Sequence, residues 1–216
     1  MNKYLKESII WVIMVIPFIY LSNVWATLPA TVPIHFGIDG NADGWLNKNG
    51  FVYFLIGLIF GLYLLFLLIP NFDPKKKIEE MGEKYNTLRL VMALFFSALA
   101  CFNIYITMRG SLENPGILVA LLGVLYTIMG NYTQTFRPNY FLGIRTPWTL
   151  ENENVWKQTH LFASKVWVLG GIVSIIMSFL IHNNLVLFIS FISLTALIVI
   201  IPTYYSYVVF KKLKQS

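Results

Sequence analysis

Residues Leu185 to Val209 read LVLFISFISLTALIVIIPTYYSYVV, twenty-five residues without a charge, and they decide the fold. A hydrocarbon layer about 30 Å thick is crossed by roughly 20 helical residues at about 1.5 Å each. Lipid offers no hydrogen-bonding partner to peptide groups, so a crossing run must be a helix. The turn signal His182-Asn183-Asn184 separates this run from another at about Leu161 to Ile181. Working back along the chain, further runs lie at about Gly116 to Thr135, Leu90 to Met108, Phe51 to Ile69 and Ser8 to Leu28. The fold predicted is therefore all-α, a polytopic bundle of six transmembrane helices. No alternating ten-residue pattern points to a barrel.

Composition agrees. Of 216 residues, 57% are hydrophobic and only 12% charged, more apolar surface than one soluble core of this size holds. The single cysteine, Cys101, excludes an internal disulfide. Lys3 and Lys6 before the first run, with Val24-Trp25-Ala26 after it, resemble a secretory signal. The length of the run and its bulky Trp11, Phe18 and Tyr20 favour an uncleaved span. The net charge of +6 forms no stripe with interleaved aromatics, so no direct nucleic-acid contact is expected. Fourteen of the sixteen basic residues instead fall on one side, and only Lys48 and Arg109 on the other. Lys and Arg are retained on the cytoplasmic side, which predicts both chain ends inside. The basic connector Asn71 to Arg89 reads as a solvated segment near anionic headgroups.

The interiors of the runs hold no carboxylate, His or Lys, which disfavours a proton-coupled carrier. Asn103, Thr127, Asn131 and Gln134 are expected to hydrogen-bond between helices. Gly57 and Gly61, then Gly116, Gly123 and Gly130, then Gly170, Ser174 and Ser178 form small-residue faces for close helix packing within the chain. No nucleophile elbow, phosphate loop or zinc-binding helix is present, and His35, His160 and His182 are scattered, so no catalytic residue is assigned.

Two loops are large enough for function, an extracytoplasmic one at residues 29–50 and a cytoplasmic one at 136–160. In the first, Pro29 and Pro33 fix an extended chain that enters a turn-rich stretch from Gly37 to Asn49. Asp39-Gly40-Asn41-Ala42-Asp43-Gly44 fits the opening of a calcium loop, with Asp39, Asn41 and Asp43 as ligands. The closing acid is missing, Gly50 standing in its place, so binding there would be weak and no resident cofactor is assigned. Trp45 suits the headgroup level. In the second loop, Pro147 ends an extended part, and Thr149 is expected to cap a helix with Glu151 and Glu153 in its first turn. That helix is expected to lie at the membrane surface before the chain enters the fifth span: Val155, Trp156, Thr159 and Phe162 share one face, and Lys157 and Lys165 can reach phosphates.

The run Gly143-Ile144-Arg145-Thr146-Pro147-Trp148-Thr149-Leu150, with Val155-Trp156 and Thr159, resembles the signature of the SdpI family, immunity proteins against a sporulation-delaying toxin. Pro33-Ile34-His35-Phe36 through Gly40, with Asp43-Gly44-Trp45, resembles a domain of unknown function often joined to it. The resemblance divides the chain into three-span regions, 1–110 and 111–216, expected to form one compact membrane domain. It implies a bacterial plasma-membrane protein that protects the cell from a secreted peptide toxin and holds a small cytoplasmic repressor at the membrane, among lipids. Gly143, Arg145, Thr146, Pro147, Trp148, Thr149, Val155, Trp156, Lys157 and Thr159 are the candidate partner-binding residues. Pro33, His35, Gly40, Gly44 and Trp45 are the candidate ligand loop. The rivals are a peptide or lipid transporter or flippase, and an intramembrane enzyme using His35 with Asp39 or Asp43.

Overall fold

A computed structural model of the chain describes residues 3–37 and 40–215. Among the described residues six helices are long and apolar enough to cross a membrane. The first is α1 (Lys3–Val24). The second joins α2 (Lys48–Ile56) to α3 (Leu62–Phe72) through a π-helical stretch, Gly57–Gly61. The others are α4 (Glu83–Arg109), α5 (Gly116–Thr133), α7 (Glu153–Leu180) and α8 (Asn184–Gln215), with a one-turn helix α6 (Pro147–Glu151) ahead of α7. The chain packs as two compact units, Met1–Leu68 with Asn86–Pro115, and Ile69–Tyr85 with Gly116–Ser216.

In the first unit, Ile10 and Met14 of α1, Phe51, Leu55 and Ile59 of the second span, and Ala93, Ala100 and Ile104 of α4 form a buried core. A hairpin of β1 (Thr31–Phe36) and β2 (Ala42–Asn47) closes one end of it. The second half of the stretch read as turn-rich, Ala42–Asn47, is thus a strand. Val32 joins the core, and Thr107 of α4 donates its hydroxyl to the Pro33 carbonyl at 3.2 Å. Asn47 caps α2 by accepting from the Gly50 amide at 2.6 Å.

Just outside the runs read as spans, Glu7 in the first turns of α1 and Arg89 in the second turn of α4 pair at 2.7 Å with the arginine buried. The Tyr63 hydroxyl donates to Glu7 at 3.0 Å and accepts from Arg89. A buried charge persists only when paired and hydrogen-bonded, and this cluster meets that condition.

In the second unit, α5 and α7 approach backbone to backbone. A Cβ on Gly123 would lie 2.8 Å from the Gly171 carbonyl, and one on Gly130 2.7 Å from the Val168 amide nitrogen. The small residues of these two spans therefore serve packing within the chain. Gly57 and Gly61 do not, since a Cβ at either would meet nothing within 4 Å; they bound the π-helical stretch instead. The mid-span polar residues also differ from expectation. Asn103 donates to the Leu99 carbonyl and Thr127 to that of Gly123, each one turn back on its own helix. Gln134 turns to the Asn131 carbonyl. Tyr126 on α5 and Thr195 on α8 do bond between helices, at 3.2 Å.

Candidate functional site

The loop between α5 and α7 is built around side chains that satisfy its backbone. Asn139 is buried; its Oδ1 accepts from the amides of Phe141 and Leu142 at 2.8 and 2.7 Å, and its Nδ2 donates to the Arg137 carbonyl at 2.7 Å. Gly143 turns the chain at φ +95°, in the region that favours glycine. The Ile144 amide then donates to His160 Nε2 at 3.0 Å. Because Nε2 accepts there, Nδ1 carries the proton and donates to the Trp156 carbonyl at 2.8 Å, which fixes a neutral imidazole. Asn139 and His160 went unassigned in the sequence, yet they organise the loop.

Thr146, not Thr149, caps the helix that follows. Thr146 Oγ1 accepts from the Thr149 amide while Thr149 Oγ1 accepts from the Thr146 amide at 2.9 Å, a reciprocal capping box. Pro147 stands in the first turn, where its missing N–H costs nothing. That helix ends at Glu151. Asn152 caps α7 separately, accepting from the amides of Asn154 and Val155 at 2.9 and 3.1 Å. The predicted surface helix is therefore the first turns of the fifth span itself.

The signature residues divide by exposure. Val155, Trp156, Thr159 and Thr149 are buried, Trp156 at 2%. The Trp156 indole donates to the Phe136 carbonyl at 2.7 Å and stacks on His160 with ring centroids 4.0 Å apart. Trp148 is half-buried, its indole donating to Ser206 of α8 at 2.8 Å and its ring lying against Tyr207 and Phe210. Thr146 is half-buried too, whereas Gly143, Arg145, Pro147 and Lys157 are exposed. Arg145 donates to the Tyr140 carbonyl, which uses one part of its guanidinium fork.

The connector read as a solvated segment has many exposed residues, yet through residue 85 it packs as part of this unit. Lys75 donates to the Leu150 carbonyl at 3.1 Å and lies over the Tyr140 ring. Arg137 pairs with Glu80 at 2.5 Å, and Ile78 and Met81 are buried. Asp73, also buried, accepts from the Ile78 amide at 3.1 Å. Hydrogen bonds from Lys77 first and Arg137 second hold the Glu80 carboxyl below its ordinary pKa.

The candidate ligand loop in the first unit has another character. His35 Nδ1 and Asp43 Oδ1 meet at 2.5 Å across the strands, with side chains 73% and 55% exposed. Trp45 is 54% exposed. Pro33 pairs with Trp45 and His35 with Gly44; a Cβ on Gly44 would stand 2.8 Å from that of His35. Gly40 turns the hairpin at φ +81°, and its carbonyl accepts from the Leu112 amide at 3.0 Å. Of the proposed calcium ligands, Asp39 lies outside the described residues, and Asp43 is turned to His35. Asn41 is exposed beside the turn, and no group of three His, Cys, Asp or Glu is gathered among the described residues.

This loop geometry falls inside a recognised sequence family. Residues 135–206 match the SdpI/YfhL protein family, and residues 12–61 match a domain of unknown function (DUF1648). The immunity protein SdpI of Bacillus subtilis (strain 168) is 31% identical over 216 residues, 98% of this chain and 100% of that protein. The chain belongs to the SdpI family. It is accordingly a multi-pass protein of the bacterial cell membrane. No solved structure matches it. The SdpI match begins just before Phe136, whose carbonyl holds Trp156, and ends on Ser206, which holds Trp148. The connector and the Glu7–Arg89 pair lie outside both matched segments.

Proposed function

We propose that this SdpI-family protein makes a bacterial cell immune to a secreted peptide toxin, sensing it outside and reporting it inside. The alignment over nearly the full length of both chains with a relative named for immunity carries this reading. The distribution of Lys and Arg supports an orientation with both chain ends in the cytoplasm. The hairpin then faces outward and offers His35, Asp43 and Trp45 to an amphipathic peptide. The signature loop faces inward. Its exposed Arg145 and Lys157, held on a backbone with little freedom, are the groups that a small cytoplasmic repressor would contact, while Trp156, Val155, Thr149 and Thr159 keep that surface in shape.

The Glu7–Arg89 pair bears on a transporter reading, because carriers use intramembrane charge. Here the carboxylate is closed on Arg89 and Tyr63 and lies near the start of α1, so immunity remains the favoured reading.

The test is growth of a toxin-sensitive strain with and without this gene under challenge by the peptide. Expression is expected to restore growth, and Arg145→Ala to lose the inward signal at unchanged membrane abundance. Failure to protect at normal abundance would overturn immunity. Asp43→Cys should react with an impermeant maleimide in intact cells and Lys157→Cys only after permeabilisation; the reverse pattern would overturn the orientation.

A further inference from the structure

Beneath the signature loop, inside the second unit, lies a partly open cavity of about 320 Å³. Its walls are graded along the helix axes. Met129 and Thr133 line it from α5, and Val199 and Thr203 from α8. In each pair the apolar residue is four positions farther from the loop than the threonine, about 6 Å along a helix. Trp167 of α7 adds a third wall, and Gly143, Arg145 and Thr146 form the loop end. The cavity thus has a greasy end toward mid-span and a polar end at the loop.

The polar end is positive through one side chain, Arg145. Thr133 donates its hydroxyl hydrogen to the Met129 carbonyl and Thr203 to that of Val199, both at 2.7 Å, so neither has a hydrogen left for a guest. Arg145 is the only charged residue among the described residues of the lining. It uses one part of its fork on the Tyr140 carbonyl and has the geometry to chelate a phosphate with the rest. The volume equals that of about ten waters at ~30 Å³ each, but apolar walls hold water poorly. Val199 is 47% exposed at the middle of a spanning helix, so this wall of the cavity borders hydrocarbon.

We infer that this cavity is a binding site for an anionic phospholipid, its phosphate on Arg145 and the upper part of one acyl chain between Met129, Trp167 and Val199. The inference goes beyond the immunity reading and requires only that the chain spans a membrane. It gives Arg145 a task in which arginine, not lysine, fits best.

The test uses purified full-length protein exchanged through detergent micelles doped with equal palmitoyl-oleoyl phosphatidylglycerol and phosphatidylcholine, with retained lipid counted by mass spectrometry. The wild-type protein is expected to retain phosphatidylglycerol about tenfold over phosphatidylcholine, the scale of one charge-assisted contact. Arg145→Gln is expected to abolish that preference, and Val199→Trp, which fills the greasy end, to lower retention of both lipids severalfold. Equal preference in wild type and Arg145→Gln, or unchanged retention in a folded Val199→Trp, would overturn the site. Millimolar inorganic phosphate should not displace the lipid; displacement would mean a free-anion site and overturn the lipid assignment. Phosphatidylglycerol brominated on its acyl chain supplies a readout independent of the cavity-filling variant. It should quench wild-type fluorescence more than that of Trp167→Phe, and equal quenching would count against the proposal.

Discussion

The loop at 136–160 and the hairpin at 29–50 are of similar length, and each joins two spans, yet they use their side chains in opposite ways. The loop turns its polar groups inward: Asn139, Thr146, Thr149, Asn152, Trp156 and His160 all bond backbone or one another. The hairpin relies on strand pairing and keeps His35, Asp43 and Trp45 in the open. A backbone held by buried side chains has one conformation to offer, which suits a fixed contact surface. A hairpin with an exposed face can adapt to a guest at small cost to the fold. The motif that identifies the family is therefore mostly framework, whereas the hairpin motif, though Pro33 and Gly40 are buried, displays His35, Asp43 and Trp45.

The largest effect expected from this contrast is at Gly143. Alanine there takes on a left-handed φ and drives its Cβ into His160 Nε2. Backbone strain and overpacking together should cost about 3–5 kcal/mol, seen as a large fall in the thermal midpoint of the purified protein. A fall of under a degree would show that the loop is loosely held and remove the distinction.

Next comes His160. His160→Ala leaves the Ile144 amide without its acceptor, removes the stack on Trp156 and opens a void, for about 2–4 kcal/mol. His160→Gln should recover part of this, since its amide oxygen can accept from Ile144. In the hairpin, Gly44→Ala also meets a close neighbour, the His35 Cβ, but on an exposed pair of strands that can shift. The cost there should be about 1–2 kcal/mol. If the order of Gly44→Ala and Gly143→Ala were inverted, the hairpin would be the rigid element.

What could be read before folding follows the same division. Six spans were legible because lipid leaves an apolar run of this length no structure but a helix, and the glycines of α5 and α7 were legible because only small residues let spans touch. The face formed by Val155, Trp156 and Thr159 was visible as a periodicity. Periodicity says that a face is covered but not by what, and here protein covers it where a membrane surface was expected. The strand Ala42–Asn47 was hidden because its residues are those of turns and it buries little. Glu7 with Arg89 and Lys75 with Leu150 were hidden for another reason, as partners 82 and 75 positions apart leave no local trace.

A smaller effect distinguishes the docked connector from a solvated one. The Glu80 carboxyl is held below its ordinary pKa by Lys77 and Arg137, so its pairing is fully present above the unfolded-state value and lost as pH falls through the lower, folded one. A nitroxide on an introduced cysteine at Lys76 should keep constant mobility from pH 8 to about 5 and loosen only below the ordinary carboxylate range. Glu80→Gln should be loose at every pH. Mobility that is high and pH-independent in the wild type would return the connector to solvent.

The finest distinction lies at Thr159. Its side chain is fully buried in the framework face of α7, and its Oγ1 has no hydrogen-bond partner among the described residues. A buried hydroxyl without a partner keeps the cost of leaving water, and a methyl of the same shape does not. If Thr159 belongs only to the framework, Thr159→Val should leave the thermal midpoint unchanged or raise it slightly, by no more than about 1 kcal/mol, and leave resistance intact. Resistance lost at unchanged stability would mean that the hydroxyl serves a moment when the loop opens to a partner. In that event the loop at 136–160 would share the adaptability assigned here to the hairpin alone.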